Sequence, residues 1–222
     1  MPGPNLSLTF ALHYAPQPSI LRGIGAFERS LKGSLVRAQE GMALPLRFKD
    51  QQGTHEIVIG AESFEITQSP FARIDRYTAT VTSLAAQFLK DTPHLSPQEM
   101  ELRVLLRIPV PDATRSLGGY AVASFAWPRK LELRPEALGK DHFLPTESGL
   151  VRLRLSVHQL NVGHELVLMM SNKHDRVNAD PAVLEPAYAL CLTGIQNIVT
   201  SLTSPAWQRV LTGLLGSPAQ GK

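Results

Sequence analysis

The chain has 222 residues, 43% of them apolar and 18% charged, and a net charge of +3. That length is enough to bury a real core, and the apolar share excludes a disordered or fibrous chain. The mild positive charge is compatible with an acidic partner but excludes a histone-like excess.

Charged residues fall below the usual ~25%, so part of the surface is expected to be covered by a partner or a second copy. Cys191 is the only cysteine and can make no intramolecular disulfide, which fits a reducing compartment. The opening Met1-Pro-Gly-Pro-Asn5 has neither a basic nor an apolar leader region. The most apolar stretches, Glu165–Met170 and Ala187–Leu192, are far shorter than a membrane span. The expectation is a cytoplasmic protein with no membrane contact.

Taken in order, Leu6, Leu8, Phe10, Leu12 and Tyr14 alternate with polar or small residues, the pattern of a half-buried strand. Pro16 and Pro18 end it. Ser19 then caps a helix expected over Ser19–Arg37, with its apolar stripe at Ile20, Ile24, Phe27, Leu31 and Leu35. Short strands follow at Leu44–Lys49, His55–Ile59 and Glu62–Thr67, the first two separated by the turn Asp50-Gln-Gln-Gly53. A second helix is expected over Arg73–Lys90, with Ile74, Tyr77, Val81, Leu84 and Phe88 on one side. Ser96, Pro97 and Glu99 have the spacing of a single capped turn.

The second half begins with a strand at Glu101–Ile108 and an alanine-rich one at Tyr120–Trp127. Pro128–Gly149 is predicted irregular. A hairpin of Val151–His158 and His164–Ser171 is followed by a polar loop over Asn172–Pro181. The C-terminal part is predicted helical, with Leu184, Tyr188, Cys191, Leu192, Ile195, Val199 and Leu202 as its stripe. Ser204 and Pro205 open a last helix carrying Trp207, Val210, Leu211 and Leu214.

These elements predict an α+β fold: antiparallel sheet with helices packed on one face, and a C-terminal helix pair. The order also suits a duplicated helix-plus-sheet unit. A single domain over 1–215 and a flexible tail over 216–222 complete the expected organisation.

The segments Leu8–His13, Glu56–Thr67, Tyr77, Leu102–Arg107 and Ile198–Leu202 resemble, in their order, a sporadically distributed prokaryotic family. In that family an LRY-type strand follows the second helix, whereas this chain has Leu105-Leu-Arg-Ile108 there and lacks the tyrosine. The resemblance implies a topology, and carries no activity and no catalytic residues.

No stretch has the spacing of a catalytic or metal motif. Arg22-Gly-Ile-Gly-Ala-Phe27 contains Gly-x-Gly, but Glu28 stands where a dinucleotide fingerprint needs its third glycine. The seven histidines are scattered. His158 and His164 flank one hairpin loop but have no third ligand. His174 and Asp175 are adjacent, so they leave one backbone in different directions and make no ready dyad. Cys191 falls on an apolar stripe, the place of a small core residue. No catalytic residue, metal or cofactor is assigned.

The pattern that points to function lies in the strands. Arg47, Lys49, Arg103, Arg107, Arg152, Arg154 and His158 each alternate with apolar residues. One face of such a strand is buried and the other presents cations. If these strands share a sheet, the exposed face is a basic platform for nucleic acid or an acidic partner. The competing reading is plain solvation, with cross-strand pairing to Glu56, Glu62 and Glu65. Phe48 shares its strand with Arg47 and Lys49 but belongs to the apolar set, and no aromatic stands among the cations themselves. Base stacking therefore has no platform, and binding through phosphates alone would be salt-sensitive. The expectation is therefore a non-catalytic binding or assembly protein working through protein contacts, with self-association as a homo-oligomer. A nucleic-acid-binding subunit is the alternative, and an enzyme the third reading.

Overall fold

A computed structural model describes residues 5–17, 20–31, 33–38, 43–71, 74–110, 123–125, 131–133, 139–146, 149–159, 164–175, 181–200, 211–213 and 215. The fold is α+β. Its strands are β1 (Asn5–Tyr14), β2 (Val36–Arg37), β3 (Leu46–Lys49), β4 (His55–Ile59), β5 (Ser63–Gln68), β6 (Pro97–Val110), β7 (Ala123–Phe125), β8 (Leu131–Leu133), β9 (Asp141–Thr146), β10 (Gly149–Gln159) and β11 (His164–Asp175). Its helices are α1 (Leu21–Ser30), α2 (Ile74–Asp91) and α3 (Pro181–Thr200), with further helical backbone at 211–213 and Leu215. Nine strands form one antiparallel sheet in the order β2-β3-β4-β5-β1-β6-β11-β10-β9, and β7 pairs with β8. Among the described residues no helix is long and apolar enough to cross a membrane.

The chain divides into two compact units. One comprises Ser7–Leu102 and Lys173–Cys191, the other Met1–Leu6, Arg103–Asn172 and Leu192–Lys222. The long elements β6, β11 and α3 contribute to both.

In the first unit, β1 sends Leu8, Phe10, Leu12 and Tyr14 into the core, as the alternation predicts. Against them pack Ile24 and Phe27 of α1, and Tyr77, Val81, Ala85 and Phe88 of α2, all buried. Phe64 and Phe88 stack with centroids 4.1 Å apart, and Phe27 meets both edge-on at 5.7 and 5.4 Å. The Tyr77 hydroxyl donates to the Ile66 carbonyl at 2.8 Å, and Thr78 donates to the Tyr188 hydroxyl at 3.2 Å.

Helix α1 is shorter than expected. It ends at Ser30 with Leu31 as its C-cap, Gly33 follows with a left-handed φ of 94°, and Val36–Arg37 then joins the sheet instead of extending the helix. Gly23, which weakens an isolated helix, is required here. A Cβ at this position would lie 2.4 Å from the Asp91 carbonyl oxygen at the end of α2.

Three local expectations are corrected. Pro97 opens strand β6, so Ser96, Pro97 and Glu99 form no helical turn. A proline is tolerated as the first residue of a strand because no ladder bond is asked of it there. The region 128–149 contains β8 and β9, and Pro145 within β9 disguises that strand in the sequence. Asn172–Asp175 extends β11 and is not loop, since Asn172 still pairs with Val151.

In the second unit, Val104, Leu106, Val151, Leu153, Leu155, Leu168 and Met170 face the core. Ile195, Ile198 and Val199 of α3 are buried, as are Leu211 and Leu215, and Gln196 donates to the Leu215 carbonyl at 2.7 Å. The predicted cap Ser204-Pro205, Trp207, Leu202, Val210, the Leu214 side chain and the tail 216–222 lie outside the described residues.

Candidate functional site

The period of two works as expected on every cation-bearing strand. Leu46 and Phe48 are buried while Arg47 and Lys49 are exposed. Leu102, Val104 and Leu106 are buried while Arg103 is half-buried and Arg107 exposed; Val151, Leu153 and Leu155 alternate in the same way with Arg152 and Arg154. His158 is exposed too, its Nε2 3.2 Å from Ser156 Oγ.

All three strands do belong to one sheet, but the cations form no continuous platform. In the strand order, β4, β5 and β1 stand between β3 and β6. Three strands thus separate the strand of Arg47 and Lys49 from the strand of Arg103 and Arg107. Nor are β6 and β10 adjacent, because β11 runs between them. On the cation-bearing face, between the arginine rows, β11 places Val167 and Ser171, which are buried, and Met169, which is half-buried.

The cations are also matched by carboxylates. Arg47 and Lys49 share Glu56, at 2.9 and 3.6 Å. Arg107 lies 3.3 Å from Glu165 on β11. Arg152 and Arg154 share Asp141, at 2.8 and 4.0 Å. The hydrogen bond from Arg152, helped by the charges of Arg152 and Arg154, holds the Asp141 carboxyl below its ordinary range against an opposing effect of desolvation. Exposed pairs of this kind contribute little to stability. Their main effect is on the field, since a phosphate must compete with a carboxylate already in place. The first unit carries a further mixed cluster, with His13 Nε2 3.4 Å from Glu101 and Lys173 2.6 Å from Glu99. Only on the second unit do the cations of this face, Arg103, Arg107, Arg152 and Arg154, outnumber its described acids, Asp141 and Glu165.

The feature that the sequence did not reveal is beside them. Strand β9 pairs with β10 so that Phe143 stands opposite Arg152, and Pro145 opposite Leu150. Phe143 is 60% exposed and Leu150 56% exposed. Phe143, Pro145 and Leu150 therefore form an apolar patch on the same face as Arg152 and Arg154, on the terminal strand pair of the sheet. Phe143 could not be connected to the arginines without knowing that β9 exists and which residues it opposes.

Other candidates resolve quietly. His158 pairs with Glu165 and His164 with Gln159, so the two histidines are not direct partners. Among the described residues no group of three or more His, Cys, Asp or Glu side chains could hold a metal. Cys191 is fully buried, and burial pushes its thiol up to about 12, with a smaller push from the Glu101 charge. At neutral pH it is a protonated core residue. Compared with known proteins, the chain matches no protein-family model and no curated protein.

Proposed function

We propose that this chain is a non-catalytic binding and assembly protein of the cytoplasm, acting through protein contacts made by the β9–β10 end of its open sheet face. The observation that carries this reading is the exposed patch of Phe143, Pro145 and Leu150 beside the ion-paired Arg152 and Arg154. An exposed aromatic next to arginines is the composition of an interface centre rather than of a solvated face. Because Asp141 lies beside two arginines, the patch carries both signs of charge within one strand pair. A two-fold-related copy can then set its Asp141 against the arginines of the first, which makes a homodimer the favoured assembly.

A second reading draws on the same residue. Phe143 supplies the aromatic that single-stranded nucleic acid would need for stacking, next to Arg152 for a phosphate. The carboxylates that already neutralise the arginines weigh against it.

Light scattering at micromolar concentration tests the first reading, with a mass above 24.3 kDa expected for the native chain and close to it for Phe143→Asp. A native chain that stays monomeric removes the homodimer. A low-salt gel shift with single-stranded probes tests the second, and a shift abolished by Phe143→Asp would replace the assembly reading.

A further inference from the structure

The first unit contains a pocket on the other face of the sheet, away from the cations. Leu35, Ile57, Ile66 and Leu84 form its apolar wall, and it has a volume of about 540 Å³. Volumes of this order hold small organic ligands. One rim is polar, and its polarity is organised. Asp50 and His55 close the turn between β3 and β4, where the Asp50 amide donates to the His55 carbonyl at 3.1 Å. His55 belongs to the same strand face as Ile57 and Ile59, which is why a histidine lines an apolar pocket.

Asp50 fixes that ring. Its Oδ2 lies 3.0 Å from His55 Nδ1, and the Thr54 hydroxyl donates to the same oxygen at 2.5 Å. Its Oδ1 accepts the Thr54 amide at 2.7 Å. Desolvation pushes this carboxyl up, but the hydrogen bonds from Thr54 and His55 outweigh it and hold the group far below the usual carboxylate range. An ionised carboxylate only accepts, so the neutral imidazole carries its proton on Nδ1 and leaves the Nε2 lone pair as an acceptor. No described residue bonds Nε2. Gln68, directly across the strand pair from His55, keeps its buried Oε1 without a hydrogen-bond partner among the described residues. Of these groups, the His55 ring on the pocket rim offers its Nε2 as an acceptor, next to a fixed negative charge that disfavours an anionic ligand.

We propose that this pocket binds a small, mostly apolar neutral molecule with one hydroxyl donor, of the phenol class, whose O–H is accepted by His55 Nε2 while its ring rests on Leu35, Ile57, Ile66 and Leu84. The site is separate from the proposed assembly surface, and nothing in the reading of that surface is needed for it.

The test compares 2-naphthol with 2-methoxynaphthalene, which keeps the rings and lacks the donor. Titration of the native chain followed by NMR is expected to move the His55 ring signals with 2-naphthol, and to show binding roughly three- to tenfold tighter than that of the ether, the factor that one net hydrogen bond supplies. His55→Phe, which keeps an aromatic ring and removes Nε2, should bind both probes equally. Leu84→Trp, which fills the pocket from α2, should bind neither. Equal affinity of the two probes for the native chain overturns the proposal, as does failure of both to bind or a response confined to other residues. Because the decisive comparison uses the native chain, it stands even if a variant fails to fold.

Discussion

The helix-covered face of the first unit and the open face of the second are made from the same kind of strand, and they use alternation to opposite ends. On the first, Leu12, Phe64 and Ile66 put one residue in two under α1 and α2, where Phe27 and Phe88 complete an aromatic cluster. On the second, the alternate residues Arg152 and Arg154 face outward, and their cross-strand partners on β9, Phe143 and Asp141, are exposed as well. A pattern of period two therefore says which residues share a face. It does not say what covers that face.

The sharpest way to break the comparison is at its most packed point. Phe88 is fully buried, stacked on Phe64, edge-on to Phe27 and 6.4 Å from Tyr14. Phe88→Ala should lower unfolding free energy by ~3–5 kcal/mol, as large aromatic truncations in cores do. Chemical denaturation reads this directly. A loss below about 1 kcal/mol would mean that the cluster is loosely packed and the contrast between the faces overstated.

Gly23→Ala probes the same packing from the backbone. Intrinsic propensity favours alanine in a helix, so an isolated α1 would gain. In the folded chain the new methyl would meet the Asp91 carbonyl oxygen at 2.4 Å and Thr92 Cγ2 at 2.7 Å, and should cost ~1–3 kcal/mol as overpacking. A stabilised variant would show that α1 and the end of α2 are not in close contact.

Much of this fold was legible in the sequence, and the failures have physical causes. Alternation placed Leu8, Phe10, Val104 and Leu153 inward without a structure, because a buried strand face tolerates little else. It failed at β9, since a six-residue strand with Pro145 and Asp141 looks like loop when its partner is unknown. Periodicity alone makes helix α1 too long, because a glycine at left-handed φ is indistinguishable in sequence from a merely weakening one. The candidate site was legible in half: each cation was correctly placed on its strand face. Strand order and cross-strand register decide whether such residues meet, and neither is written in local periodicity. Asp50 and His55 likewise gave no signal, being five residues apart across an ordinary turn.

A smaller effect sharpens the polar rim of the first unit. The Asp50 carboxyl titrates below its unfolded value of ~3.9. A depressed carboxylate contributes stability that is fully present above about pH 4 and is lost as pH falls through its folded value. Asp50→Asn should therefore flatten the acid limb of the stability profile while leaving its shape above about pH 5 unchanged. Thermal melts from pH 2 to pH 7 check this. An unchanged acid limb would show that the hydrogen bonds from Thr54 and His55 do not favour the ionised form.

The smallest expected effect on stability is at Phe143, and that smallness is what gives the residue its diagnostic value. A side chain 60% exposed on a terminal strand makes few contacts within its own chain. Phe143→Asp should change unfolding free energy by no more than about 0.5 kcal/mol, the range of ordinary surface substitutions. It removes the aromatic from the patch and adds a second carboxylate beside Asp141, opposite Arg152. An interface centred on Phe143 would lose its anchor and meet like charge from the partner, while the fold is untouched. If the variant unfolds with the native midpoint in dilute solution yet no longer associates, Phe143 is held at the surface for a partner. If its own stability drops by several kcal/mol, the side chain is packed like Phe88, and the distinction between the two faces disappears.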